Sequence, residues 1–162
     1  MIIIEMCIMG IFATYVMDAL AGFLAKRNFM YSFITPEEIG RWFLYIFKGR
    51  LTHEDINKTP ALKNEKLWYF ISHYLIGIVL AGIYLLIEIM APTICNQSWM
   101  ALVFGIATVA LPWFWLLPSI GVGFMASKSK NRLSILRTNF INHTNFGIGL
   151  FIWVISFHRL FL

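Results

Sequence analysis

Charge is scarce in this chain: Asp, Glu, Lys and Arg make up 13% of its 162 residues, against 59% for the apolar set AVILMFWYC. A soluble domain of that balance lacks the polar surface to cover itself. The composition therefore excludes a soluble enzyme, a disordered tail and a nucleic-acid reader with a basic core. Cysteine is also rare. Cys7 and Cys95 are the only two, and they lack the C-x-x-C spacing of a redox or zinc motif. They read either as thiols in apolar surroundings or as one bridge on the outer side of the membrane. No serine or cysteine elbow is present, so nucleophilic catalysis has no motif to stand on.

What is abundant is long apolar sequence. Four stretches, about residues 2–25, 67–90, 99–125 and 138–157, can cross roughly 30 Å of hydrocarbon at ~1.5 Å per helical residue. The expected fold is all-α: one integral membrane domain over residues 1–162, built as a four-helix transmembrane bundle. The first span is expected to stay in the mature protein, because Glu5 precedes its apolar run and Lys26-Arg27 follow it. Eight of the thirteen Lys and Arg residues fall between Lys26 and Lys66, four between Lys128 and Arg137, and one at Arg159. Basic loops stay in the cytoplasm, which places both termini and the turn at residues 91–98 outside. The net charge of +5 is then accounted for by topology and anionic headgroups, with no nucleic acid as partner.

The cytoplasmic segment, residues 26–66, is more than a linker. Thr35-Pro36-Glu37-Glu38 is a capping box with proline at the first helical position. Ile39, Trp42, Phe43, Ile46 and Phe47 then form one apolar stripe, Arg41 and Lys48 face the headgroups, and Gly49 closes the helix. This amphipathic helix lies on the membrane or on the bundle, as an anchor or as a lid over its inner mouth. A second cap, Thr52-His53-Glu54-Asp55, presents His53 at the start of a short turn that ends by Thr59-Pro60.

An ionisable side chain inside a span costs at least ~2.5 kcal/mol near the centre on insertion scales, so each one needs a partner. Asp18 lies about 10 Å from the inner end of the first helix at ~1.5 Å per residue, in a stripe with Gly10, Thr14 and Gly22 that lets another helix approach. His73 and His143 enter from the same side at similar depth, and Ser119 sits at that level on the third helix. Pro112 and Pro118 should free the carbonyls of Thr108 and Phe114. His73-x-x-x-Gly77-Ile78 echoes His143-x-x-x-Gly147-Ile148, and Gly22-Phe23-Leu24-Ala25 echoes Gly123-Phe124-Met125-Ala126. This suggests a 2+2 internal repeat that would bring the two histidines face to face. Glu5 and Glu88 read as interfacial, and His158 carries no assigned role.

Several chemistries fit an Asp/His cluster: structural hydrogen bonds between helices, a proton relay or solute site, a metal or haem site with His53 as a further ligand, or a general base toward a lipid headgroup. None of them fixes a cofactor.

The chain resembles a bacterial inner-membrane family catalogued as domain of unknown function 2938. The resemblance rests on Gly40-Arg41-Trp42, Gly49-Arg50 with His53 and Ile56, His73-Tyr74-x-Ile76-Gly77, Pro112, Pro118-x-x-Gly121-x-Gly123-x-x-Ala126-Ser127, and Arg137 leading to His143-x-x-Phe146-Gly147-x-Gly149-Leu150. In that pattern a glutamine precedes the second proline, where this chain has Leu117, so no side-chain amide is available there. The resemblance implies a small four-helix inner-membrane protein and draws Asp18, His53, His73, Arg137 and His143 into one pattern, without supplying an activity.

The expected site thus comprises Asp18, His73, His143, His53, Thr14, Ser119 and Arg137, opening toward the cytoplasm. The expected surroundings are the lipid bilayer and a second copy of the chain, since four helices leave little room for a central path. Proton-linked or solute transport is the leading functional expectation. The alternatives are a scaffold that docks a partner through the amphipathic helix, and a membrane metal or haem binder.

Overall fold

A computed structural model describes every residue except Asn96 and Leu162, together with all side chains but those of Ile94 and Cys95. The Cys7–Cys95 bridge therefore falls outside the described residues. The described chain is helical throughout, with no strands. Its principal elements are α1 (Ile2–Ala25), α2 (Pro36–Ile46), α3 (Glu65–Met90), α4 (Trp99–Ser119) and α5 (Arg132–Ser156). Short 3-10 turns at Ile56–Lys58, Phe124–Ala126 and His158–Leu160 link or follow them. Three of the helices, α1, α3 and α4, are long and apolar enough to cross a membrane.

Helix α5 matches them in length, with 25 residues, but Thr138, Asn139, Asn142, His143 and Asn145 dilute its apolar character. Its position explains why it can carry them. It packs against both α1 and α4, while α1 also packs on α3, so α5 turns much of its polar stretch toward protein. Burying apolar surface between helices yields little in lipid, which is as apolar as leucine. Close backbone approach and interhelical hydrogen bonds must hold such helices together. Gly10 and Gly77 supply that approach between α1 and α3: a Cβ on Gly10 would strike the Ile78 backbone, and one on Gly77 would strike Thr14 Oγ1. Gly105 against Gly147 does the same for α4 and α5. The outward faces of these helices stay apolar and exposed, as at Ile3, Ile4, Leu75, Val79 and Leu86.

The third span ends earlier than the sequence implies, at Ser119 rather than near residue 125. Proline cannot donate to the helix ladder, and here Pro112–Leu116 widens into a π-helical turn, with the Leu117 N–H bonding to the Pro112 carbonyl. The Thr108 carbonyl, expected to be free, accepts from the Leu111 N–H at 2.9 Å. Gly121 then turns the chain at φ +92, where a Cβ would collide with the Glu54 carbonyl. This turn also separates the second pair of echoed stretches. Gly22 to Ala25 end α1 as helix, whereas Gly123, Met125 and Ala126 all have positive φ.

The capping box of α2 forms as read: Glu38 N–H donates to Thr35 Oγ1 and Thr35 N–H to Glu38 Oε2. Arg41, however, does not face headgroups. Its Nε and Nη2 fork onto Glu65 at 2.7 and 3.1 Å, and Nη1 donates to the carbonyls of Ile56 and Thr59. A buried ion pair is tolerable only when its remaining donors are also matched in this way. Trp42 is buried against Trp115, and the half-buried Phe43 packs on Trp68, so this part of the aromatic stripe is occupied within the chain, while Phe47 stays exposed. The cap of the next turn is Asp55, whose carboxylate accepts from the Asn57 N–H, three residues beyond the expected Thr52.

Candidate functional site

The antiparallel α1/α3 pair brings an acid and an imidazole together. Asp18 Oδ1 accepts from His73 Nε2 at 3.0 Å, and Asp18 Oδ2 accepts from the Tyr74 hydroxyl at 3.3 Å. Tyr69, one turn before His73, stacks on the imidazole with 5.2 Å between centroids. The pair is not sealed, since the Asp18 side chain keeps 36% of its surface exposed and that of His73 22%.

Both line an open cavity of about 530 Å³. Its floor is the C-terminal end of α1, from Met17 to Ala25, and Thr138 and Asn142 of α5 also line it. Residues 30–34 and the first turn of α2 close the loop side through Tyr31, Phe33, Pro36 and Ile39. That wall is fixed to α5 by the Tyr31 N–H, which donates to Thr138 Oγ1 at 2.8 Å. Asp18 is the one carboxylate of the lining, which holds no Lys or Arg and is otherwise mostly aliphatic or aromatic. Chemically, this is a mostly apolar pocket with one carboxylate–imidazole pair.

The other expected site residues have different places. His143 Nδ1 lies 2.7 Å from Thr108 Oγ1. Because the Thr108 hydroxyl proton goes to the Gly105 carbonyl, the oxygen accepts from His143 Nδ1–H. Each histidine thus bonds a residue on the helix packed against its own, His73 with α1 and His143 with α4, and His143 is absent from the cavity lining. Thr14 is buried, and its hydroxyl donates to the Gly10 carbonyl inside the α1/α3 crossing. Arg137 is exposed.

Ser119 and His53 meet through the backbone, the His53 N–H donating to the Ser119 carbonyl at 2.7 Å. This bond docks the loop on the end of α4, away from the Asp18 cavity, whose lining includes neither residue. Thr59 donates its hydroxyl proton to the Asp55 carbonyl and accepts from His53 Nδ1 at 3.0 Å. His53 Nε2 is thereby a buried lone pair with no hydrogen-bond partner among the described residues. Burial, helped by the nearby charge of Arg50, pushes the His53 imidazole below its ordinary pKa. Among the described residues no three His, Cys, Asp or Glu side chains converge as metal ligands do, so the donor set expected from Asp18, the histidines and His53 does not assemble.

One polar cluster escaped the sequence reading. At the opposite end of the α1/α3 pair, Glu5 is only 4% exposed. Its Oε1 accepts from Trp153 Nε1 at 3.3 Å and from His158 Nδ1 at 2.6 Å. The other ring nitrogen, His158 Nε2, lies 3.5 Å from Glu88 Oε2. The two glutamates are therefore not simply solvated at an interface. Glu5 lies 148 and 153 positions from Trp153 and His158 in the chain, and only the mirrored placement of an acid near the start of one apolar helix and a Trp/His pair at the end of another hints at the cluster.

The chain belongs to the family described as protein of unknown function (DUF2938), which matches residues 7–156. No curated protein and no solved structure matches it.

Proposed function

We propose that this chain is a small multi-pass inner-membrane protein that binds a small amphipathic organic cation in its Asp18 cavity, in exchange for protons on the Asp18/His73 pair. In this reading α5 crosses the bilayer beside the three more apolar helices, completing a four-helix bundle with both termini outside. The cavity then opens toward the cytoplasm.

The observation that carries the reading is the half-exposed Asp18 carboxylate, paired with His73 at 3.0 Å, on an otherwise apolar and aromatic wall that holds no Lys or Arg. A carboxylate in such surroundings is costly without a positive partner. Aliphatic and aromatic walls suit the apolar body of a lipophilic cation, and aromatic faces attract the charge itself. Protonated His73 supplies the same positive charge from within, so proton and ligand compete for one carboxylate. Binding should therefore strengthen as pH rises through the imidazole range, about pH 5 to 8.

The test is fluorescence anisotropy of ethidium with the full chain in lipid nanodiscs. Wild type should bind more tightly at the alkaline end of that range, and Asp18→Asn should lose binding while keeping the wild-type thermal midpoint. His73→Gln should bind with little dependence on pH. Equal binding by wild type and a stably folded Asp18→Asn would overturn the reading.

A further inference from the structure

We infer that Glu5, Glu88 and His158 form a second proton-binding site, at the end of the α1/α3 pair opposite Asp18, and that its proton latches the C-terminal turn over that end of the bundle.

The geometry specifies a doubly donating imidazole. His158 Nδ1 faces Glu5 Oε1 at 2.6 Å, and His158 Nε2 faces Glu88 Oε2 at 3.5 Å. A neutral imidazole has one N–H and one lone pair, so it can satisfy only one of the two carboxylates, whereas the imidazolium satisfies both. Glu5 has a second donor in Trp153 Nε1, and its side chain is 5% exposed. Glu88 is more open, at 22%, and its contact is longer. Two carboxylates around one imidazolium leave the cluster with a charge of −1, and a further proton on Glu88 would neutralise it. Glu5 is thus the better-held partner of the imidazolium and Glu88 the more open one.

His158 stands on the turn that follows α5, so its charge controls the position of a chain segment. Beside it, the Phe157 ring rests on Phe12 of α1, and the Phe161 ring on Trp153. The charged groups facing the imidazole come from α1 (Glu5) and α3 (Glu88); α5 contributes only the neutral indole N–H of Trp153, and Arg159 on the turn itself is exposed. Loss of the imidazolium proton leaves one carboxylate opposite a lone pair. The turn then keeps only its aromatic contacts, and it should lift.

This site does not depend on the Asp18 reading. Met9, Ala13, Leu80, Ala81 and Leu85 form a buried apolar layer between the two ends, so each site can gain or lose its proton without the other.

The experiment is hydrogen exchange of residues 157–161, measured by mass spectrometry on the full chain in nanodiscs and corrected for the intrinsic pH dependence of exchange. Wild type should be protected at acid pH and lose protection by about fivefold or more toward alkaline pH, the lower end of ordinary coupling between two equilibria. Glu88→Gln should keep the acid-side protection and shift the pH at which protection is lost, because one of the two facing carboxylates is gone. His158→Gln should be unprotected throughout. A flat wild-type profile, or an unshifted Glu88→Gln profile, overturns the latch, and these two outcomes decide the matter even if His158→Gln does not fold.

Discussion

His53 shows how a single side chain can couple this protein to acidity without touching the cavity. Its Nδ1–H is fixed by Thr59, its backbone N–H by Ser119, and its Nε2 is a buried lone pair. Protonation would add a buried N–H with no acceptor, and burial first, then the Arg50 charge, lower its pKa from the ordinary value. The folded state therefore binds this proton less readily than the unfolded chain does. Its contribution to stability is complete above the unfolded pKa of about 6.5 and declines as pH falls below it toward the depressed folded value. The thermal midpoint in detergent should drop between about pH 7.5 and pH 5, on either side of that value, and His53→Gln should reduce the drop. A drop equal to that of wild type would show that His53 is not the sensor. Asp18 and His73 were legible in the sequence because an ionisable residue in an apolar run demands a partner. Thr108 as the partner of His143 was not, since a hydroxyl in a helix usually bonds its own backbone, and here it does both.

At the scale of elements, α2 was readable almost to the residue, because a capping box and a proline at the first helical position are local chemistry. The end of α4 was not. Apolar composition continues past Ser119, and the chain leaves the helix through the positive φ of Gly121, where the Glu54 backbone, far away in sequence, comes close. The α1/α3 crossing depends on similarly close fit. A Cβ on Gly77 would meet Thr14 Oγ1, so Gly77→Ala should destabilise the chain by about 1 to 3 kcal/mol through overpacking. Thr14→Ala removes the obstructing atom, and the double variant should recover part of that loss in a thermal melt. Additive losses in the double variant would mean that the crossing is held elsewhere.

For the molecule as a whole, the sequence supplied the long apolar runs that form α1, α3 and α4, but not the order in which the helices pack. That order, α3 on α1, α1 on α5 and α5 on α4, is set by which small residues meet, and a single sequence does not reveal those pairs. It puts the polar helix α5 between two neighbours, against which Thr138, Asn139 and Asn145 are buried. The proposed orientation is open to direct test. In a background where Cys7 and Cys95 are serine, a membrane-impermeant maleimide applied to intact spheroplasts should label Gln97→Cys and spare Lys63→Cys. The reverse pattern would invert the topology and turn the Asp18 cavity outward.

The central claim is that Asp18 and His73 act as one proton-exchanging unit. Solid-state NMR of the full chain with 15N-labelled histidine, in lipid across about pH 5 to 8, reads the protonation of His73 directly, and the other three histidines are assigned by substitution. The predicted result is that Asp18→Asn changes the pH profile of the His73 signal, because the carboxylate bonded to His73 Nε2 at 3.0 Å has gone. A His73 signal that titrates identically with and without the carboxylate would contradict it.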